Sequence, residues 1–263
     1  MARNRRTAAS ADDPRDELVQ LAIDLDLTAA AAALHVLLAK AEKEGMSFTD
    51  FGLALFKTEA ATRRQRKLAR SLRRSRLGTV EGVEGFDWSR RPQLDARVVR
   101  ELLGCRWVEE RRNVACMGKP GLGKTRIAKA LVHAACLAGY STLCVNTADM
   151  IEDLHASLAD GSYKRVFRRY TKPDVLLLDE LAYEPLDTRG TTYLFRVIAA
   201  RYQAGSIVLT ANTGFSKWKN LFPSESQAVA AVDRLLHDAT VLRFTGKTCR
   251  DPRDIYGAPL DDE

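Results

Sequence analysis

Residues 113–125 read Asn-Val-Ala-Cys-Met-Gly-Lys-Pro-Gly-Leu-Gly-Lys-Thr, and the fold turns on this stretch. A short apolar run, Val114 to Met117, breaks into Gly118, and Gly123, Lys124 and Thr125 complete a G-x-x-x-x-G-K-T spacing. Behind it, Arg126 to Leu137 has the apolar periodicity of a helix. Strand, glycine loop and helix in this order form a phosphate cradle: backbone N–H groups of the loop point inward, and the helix N-terminus adds its positive dipole end. The candidate phosphate-binding residues are Gly118, Lys119, Pro120, Gly121, Leu122, Gly123, Lys124, Thr125 and Arg126. Lys124 is expected to reach the β- and γ-phosphates, and the Thr125 hydroxyl to hold Mg²⁺.

A second motif lies downstream. Pro173 opens onto Val175-Leu-Leu-Leu178 followed by Asp179 and Glu180, four apolar residues ending in two acids. This pattern fits a buried parallel strand whose carboxyl end faces the phosphate loop. Asp179 is expected to support the metal through water, and Glu180 to orient and polarise an attacking water. A further strand, Ser206–Ala211, ends in Thr210-Ala-Asn212, and Asn212 is the candidate for sensing the γ-phosphate or the lytic water.

Between these motifs, strand-like and helix-like stretches alternate. Strands are expected at 142–146 and 240–244, and helices at 148–159, 163–170, 191–204 and 227–237. The pattern predicts an α/β domain with a parallel sheet flanked by helices over 113–250. Ahead of it, apolar residues at helical spacing predict a small all-helical domain over 14–77. Thr28 reads as the N-cap of its second helix. Ser47 with Asp50 reads as the cap of a third, which runs to Gly78 as its stop. Residues 1–13 are polar, 78–112 read as a connector, and 251–263 form a polar tail. In the connector, Phe86 and Trp88 could pack against an adenine or against the nucleotide domain.

Charge is unevenly distributed. Of a net +7, residues 63–76 carry eight Lys or Arg and no acid: Arg63, Arg64, Arg66, Lys67, Arg70, Arg73, Arg74 and Arg76. Like charges at (i, i+3) and (i, i+4) repel one another. Such a helix is better explained by a polyanion along it than as a solvated face, and its apolar stripe is too narrow for a membrane surface. Phosphate contacts of this kind position a protein on nucleic acid without reading sequence. Five scattered cysteines without C-x-x-C spacing suggest neither zinc nor a disulfide framework. Four separated histidines offer no metal spacing. No apolar run approaches a membrane span, and no apolar segment follows the basic N-terminus as a signal peptide requires, so a cytoplasmic protein is expected.

Other pieces fall in a recognisable order: the Arg-rich run 63–76, Phe86-Asp-Trp-Ser, Arg100-Glu-Leu-Leu, Ala138-Gly-Tyr, Leu178-Asp-Glu-Leu-Ala-Tyr-Glu-Pro-Leu, Phe215-Ser-Lys-Trp, Asp233-Arg-Leu-Leu-His and Gly246-Lys-Thr-Cys-Arg. Over about residues 17–250 the chain resembles the IstB family, ATP-binding helper proteins of bacterial insertion sequences related to DnaC helicase loaders within the AAA+ ATPases. The resemblance implies a Mg²⁺-dependent ATPase of AAA+ P-loop fold that assembles on duplex DNA as an oligomer and works beside a partner transposase. Read alone, Arg234 could pair near Asp233 or project outward. By resemblance it matches an arginine finger that reaches ATP on a neighbouring subunit. Arg250 matches the arginine of the family's Gly-x-Ser-Tyr-Arg ending, although the aromatic before it is missing here. The alternative is a DnaC-type loader, whose main partner is a helicase ring. A small-molecule kinase would need an acceptor pocket and a lid, and no Arg-rich insert follows Asp179-Glu180.

Overall fold

The computed structural model describes residues 13–181, 186–214 and 225–248. The chain divides into two compact units, Met1–Ala69 and Arg70–Glu263. The division and the helical domain expected over 14–77 differ by the last turns of the basic helix.

The first unit holds α1 (Pro14–Asp24), α2 (Thr28–Glu44) and most of α3 (Phe48–Ser75). Its helix ends show what local reading missed. α1 begins three residues before the expected Glu17 because the Asp13 side chain accepts the Arg15 amide (3.0 Å) and Pro14 occupies the first turn, where no N–H is needed. Thr28 is not the cap of α2 but its first residue, and Leu27 ahead of it makes no side-chain cap bond. The free amides of Ala29 and Ala30 donate instead to the Glu59 carboxylate of α3, at 2.8 and 3.0 Å. Glu59 is only 4% exposed and also accepts from Arg63 Nε at 2.6 Å. Arg63 goes on to donate to Asp26 O (2.9 Å), and Arg66 to the Thr28 hydroxyl (2.9 Å). Two of the eight basic residues therefore help hold the helices of this unit together. The Ser47 cap forms as expected, with its hydroxyl accepting the Asp50 amide at 3.1 Å and donating to the Asp50 carboxylate at 2.6 Å. α3 stops three residues before Gly78, because Arg76 itself turns left-handed (φ 56°).

The second unit continues with α4 (Ala96–Leu103), α5 (Arg106–Glu109), β1 (Val114–Gly118), α6 (Lys124–Leu137), β2 (Thr142–Asn146), α7 (Thr147–Ala156), α8 (Tyr163–Thr171), β3 (Val175–Leu181), α9 (Thr188–Arg201), β4 (Ser206–Ala211), α10 (Glu225–Leu236) and β5 (Thr240–Phe244). All strand pairs are parallel, in the order β2-β3-β4-β1-β5. The chain is thus the expected three-layer α/β domain of P-loop type. α9 begins at Thr188, earlier than expected, because the Asp187 side chain caps it on the Gly190 amide (2.6 Å).

Strand alternation builds the two apolar layers. Val175 and Leu177 of β3 join Ile127, Leu131 and Val132 of α6 on one face. Leu176 and Leu178 join Met150 and Leu154 of α7 and Leu194 and Val197 of α9 on the other. Both faces are covered, which is why β3 reads as a continuous apolar run. Arg201 is buried at the amino ends of β3 and β4, with its guanidinium donating to the carbonyls of Tyr170, Thr171, Pro173, Asp174 and Ser206. Cys105, Cys116, Cys136 and Cys144 are buried free thiols, and Cys249 lies outside the described residues. Burial, reinforced by the Asp179 charge, pushes the Cys116 thiol up to about 12, so it stays protonated and inert at neutral pH. Among the described residues, no helix is long and apolar enough to cross a membrane.

Hydrogen bonds from Arg63, and next from the Ala30 amide, hold the Glu59 carboxyl below its ordinary range against the opposing effect of burial. A lowered folded-state value means that this contribution is present above the unfolded value of about 4.3 and is lost as pH falls through the folded value. We expect Glu59→Gln in the full chain to lower protection of the α2 N-terminal amides in hydrogen exchange at neutral pH and to lower the melting temperature by roughly 5 °C. The gap between parent and variant should narrow as pH falls below the unfolded value and close once it has passed through the lowered folded value. Equal protection at neutral pH would show that Glu59 is not the cap.

Candidate nucleotide-binding site

β1 delivers the chain to Gly118, which ends the strand where a side chain could not fit: a Cβ there would lie 2.1 Å from Phe244 O of β5. The loop returns through Gly121 (φ 77°) to Gly123 (φ 89°), the left-handed N-cap of α6. A Cβ on Gly123 would meet the Phe86 ring at 2.7 Å. Lys124 is 7% exposed, and its Nζ donates to Lys119 O of the loop at 2.8 Å. The Thr125 hydroxyl donates to Asp179 Oδ1 across the end of β3 at 3.0 Å.

The two acids of β3 diverge. Asp179 Oδ1 receives a second hydroxyl, from Thr210 of β4, at 2.5 Å. Glu180 has a left-handed backbone (φ 56°) and lies where the β3–β4 register slips between Leu178 and Leu181. Its amide donates to Thr210 Oγ1 at 2.9 Å, and its carboxylate accepts from Asn146 Nδ2, at the tip of β2, at 2.7 Å. Asn146 also caps α7 through the Ala148 amide (2.9 Å).

Above these groups opens a cleft of about 630 Å³, whose lining includes Phe86, Asp87, Arg91, Lys124, Glu180 and Asn212. That volume lies in the range of small-ligand sites. One wall is the connector. Phe86 packs against Trp88 (centroids 4.8 Å apart) and into the α6 core layer, which is the packing reading of this aromatic, and it also lines the cleft. Arg126 ties α6 to the connector through Gly82 O (3.0 Å) and Glu84 O (2.8 Å), with its guanidinium over the Phe86 ring. Arg91, 3% exposed, donates to Leu122 O of the phosphate loop and to Lys247 O beyond β5, both at 2.8 Å.

Most of the sequence-predicted residues meet here. Pro120 to Arg126, Glu180 and Asn212 line the cleft, Asp179 is bonded beneath it, and Gly118 and Lys119 supply the base of the loop. Arg234 lies elsewhere. It sits over the Phe195 ring at 4.9 Å and lines a separate cavity with Asn113, Arg201 and Tyr202, at the amino ends of β1 and β4. Arg250 and the 215–218 motif lie outside the described residues. All eight basic residues of 63–76 are exposed. Sequence reading did not single out Thr210, Asn146 or Arg91. A threonine after the apolar Ile207–Leu209 of β4 and a polar residue at the tip of β2 were available signals; nothing marked Arg91.

A family model described as IstB-like ATP binding protein matches residues 20–254. The ATP-binding protein assigned to insertion sequence IS21 in Pseudomonas aeruginosa is 35% identical over 81% of this chain and 81% of its own length. The corresponding protein of IS5376 in Geobacillus stearothermophilus is 31% identical over 80% of this chain and 84% of its own. Among solved structures, a DnaC helicase loader superposes with a TM-score of 0.50 at 20% identity, covering 57% of this chain and 87% of that one, and so shares the fold.

The Gly123 geometry carries a direct expectation. Gly123→Ala forces a Cβ into the left-handed region, at about 1–2 kcal/mol, and against Phe86. It should lower the melting temperature by roughly 3–6 °C and weaken fluorescent ATP-analogue binding at least tenfold, by about 1.4 kcal/mol. Parent-like affinity would show that the loop does not need this conformation.

Proposed function

The chain belongs to the IstB-like ATP binding protein family, and from that premise we propose that it is an ATPase that binds duplex DNA as an oligomer and assists the transposase of an insertion sequence. The observation that carries the ATPase reading is the convergence of Thr125, Asp179, Glu180 and Asn212 at the mouth of one glycine loop. Loop amides and Lys124 bind the triphosphate, and Phe86 offers the cleft an aromatic wall for the base. The Thr125 hydroxyl and Asp179 carboxylate are hard oxygen donors 3.0 Å apart, a set that suits Mg²⁺. Bound there, Mg²⁺ would supply positive charge that offsets the charge of the phosphates. Glu180 positions the attacking water and takes its proton, while Asn212 orients the γ-phosphate or the water.

The position of Arg234 supports a role in trans. It lies toward the amino ends of strands whose carboxyl ends carry the cleft, and five-residue β1 alone spans about 16 Å. A finger that serves a neighbouring subunit would lie away from its own cleft in this way, and its guanidinium would offset transition-state charge there. An assembly through the ATP sites follows from this reading. Arg250 remains assigned to the nucleotide by family resemblance.

For DNA, the exposed bases of α3 are the grip. Arg63 and Arg66 also hold helices, so a clean test leaves them intact. ATP turnover should rise with long duplex DNA, and the rise should shrink with salt. In a variant with Arg64, Lys67, Arg73 and Arg74 changed to Ala, the stimulation should disappear, and the slope of log binding constant against log salt should fall by roughly 0.9 per lost phosphate contact. Turnover indifferent to DNA in both proteins would contradict the proposal and favour a protein ring as the partner.

A further inference from the structure

Parallel strands rarely bulge, yet β3 and β4 do so at the site. Leu178 faces Leu209 and Leu181 faces Ala211, so two residues, Asp179 and Glu180, stand opposite the single Thr210. A bulge re-aims side chains, and here it does so at the pair of acids. Glu180 takes the left-handed backbone that non-glycine residues seldom adopt. Its amide is held by the Thr210 hydroxyl (2.9 Å), and the same hydroxyl donates to Asp179 Oδ1 (2.5 Å). Thr210 is 1% exposed, so water does not stand in for either bond. A hydroxyl has one proton to give and lone pairs to accept, so both bonds fix its rotamer.

We propose that Thr210 is the positioning residue for hydrolysis: its hydroxyl locks the bulge that turns Glu180 toward the cleft and Asp179 toward Thr125. This rests on the reading of Glu180 as the group that activates water. Thr210 lines the cleft, but its hydroxyl is spent on these two bonds to the acids. It acts by holding two acids in different directions from adjacent backbone positions, one toward the metal-binding hydroxyl and one toward Asn146 and the cleft. Without the hydroxyl, the Glu180 amide and one bond to the Asp179 oxygen lose their partner, and the aim of Glu180 rests on Asn146 alone. Misplacement of a reacting group by about 1 Å costs on the order of a hundredfold in rate.

The test compares Thr210→Val, which keeps the branched shape and loses the hydroxyl, with Thr210→Ser, which keeps the hydroxyl, and with Glu180→Gln. Turnover, ATP-analogue affinity, the Mg²⁺ concentration for half-maximal turnover and the melting temperature are measured on the full chain. Thr210→Val is expected to lose roughly tenfold to a hundredfold in kcat with ATP-analogue affinity within about threefold of the parent, and to need more Mg²⁺. Thr210→Ser is expected to recover most of the rate. Parent-like kcat in Thr210→Val beside an inactive Glu180→Gln would overturn the proposal. So would equal losses in the Val and Ser variants that track their melting temperatures, since that is the signature of a merely structural residue. Full turnover by Glu180→Gln would instead remove the premise that Glu180 activates water, whatever Thr210→Val does. If Thr210→Val does not fold, Thr210→Ala carries the same comparison.

Discussion

One oxygen atom organises the site. Asp179 Oδ1 accepts the hydroxyls of Thr125 and Thr210, at 3.0 and 2.5 Å, and so ties the first turn of the phosphate-loop helix and the tip of β4 to the end of β3. Each group reaches it on a different element, and each element is fixed by the apolar layer it helps to cover. Asp179 is half-buried, and the two hydroxyls satisfy an oxygen that the surrounding side chains partly shield from water. Because the bonds are made by side chains only one or two carbons long, the three elements cannot drift by even an ångström without breaking them. The cleft inherits this rigidity.

The same economy of contacts runs through the connector. Arg126 and Phe86 lie next to or against the phosphate loop, and both also anchor residues 82–86. Arg91 joins the connector, the loop and the segment after β5 by donating to three carbonyls (Arg90, Leu122 and Lys247). In the helical unit, Arg63 and Arg66 show a related overlap, with cationic side chains that meet their own chain before they meet any partner. Counting positive charges along a helix overstates how many are free for phosphate.

How much of this was legible depended on whether the cause was local. The phosphate loop, Thr125 and the acidic end of β3 were readable because their chemistry needs fixed spacing within a few residues, and the alternation of strands and helices followed from apolar periodicity. The helix ends shifted where a cap lay outside the helix: Asp13 beside Pro14, and Glu59 standing in for a cap about 30 residues away in sequence. The four-residue α5 was too short to show a period. Thr210 and Asn146 gained their roles from strand register, and Arg91 from carbonyls 31 and 156 residues distant, none of which a linear pattern encodes. Arg234 was identified by resemblance alone, and its place at the far ends of the strands emerged only from the fold.

The most direct measurement is calorimetric titration of ATP with Mg²⁺ into the parent and into Lys124→Ala, with a pre-steady-state phosphate-release assay on the same samples. The account predicts saturable, Mg²⁺-dependent binding and release by the parent, and loss of at least a hundredfold in affinity, about 2.7 kcal/mol, in the variant with its melting temperature preserved. Undiminished binding and release by Lys124→Ala would contradict the assignment of the glycine loop as the seat of the triphosphate.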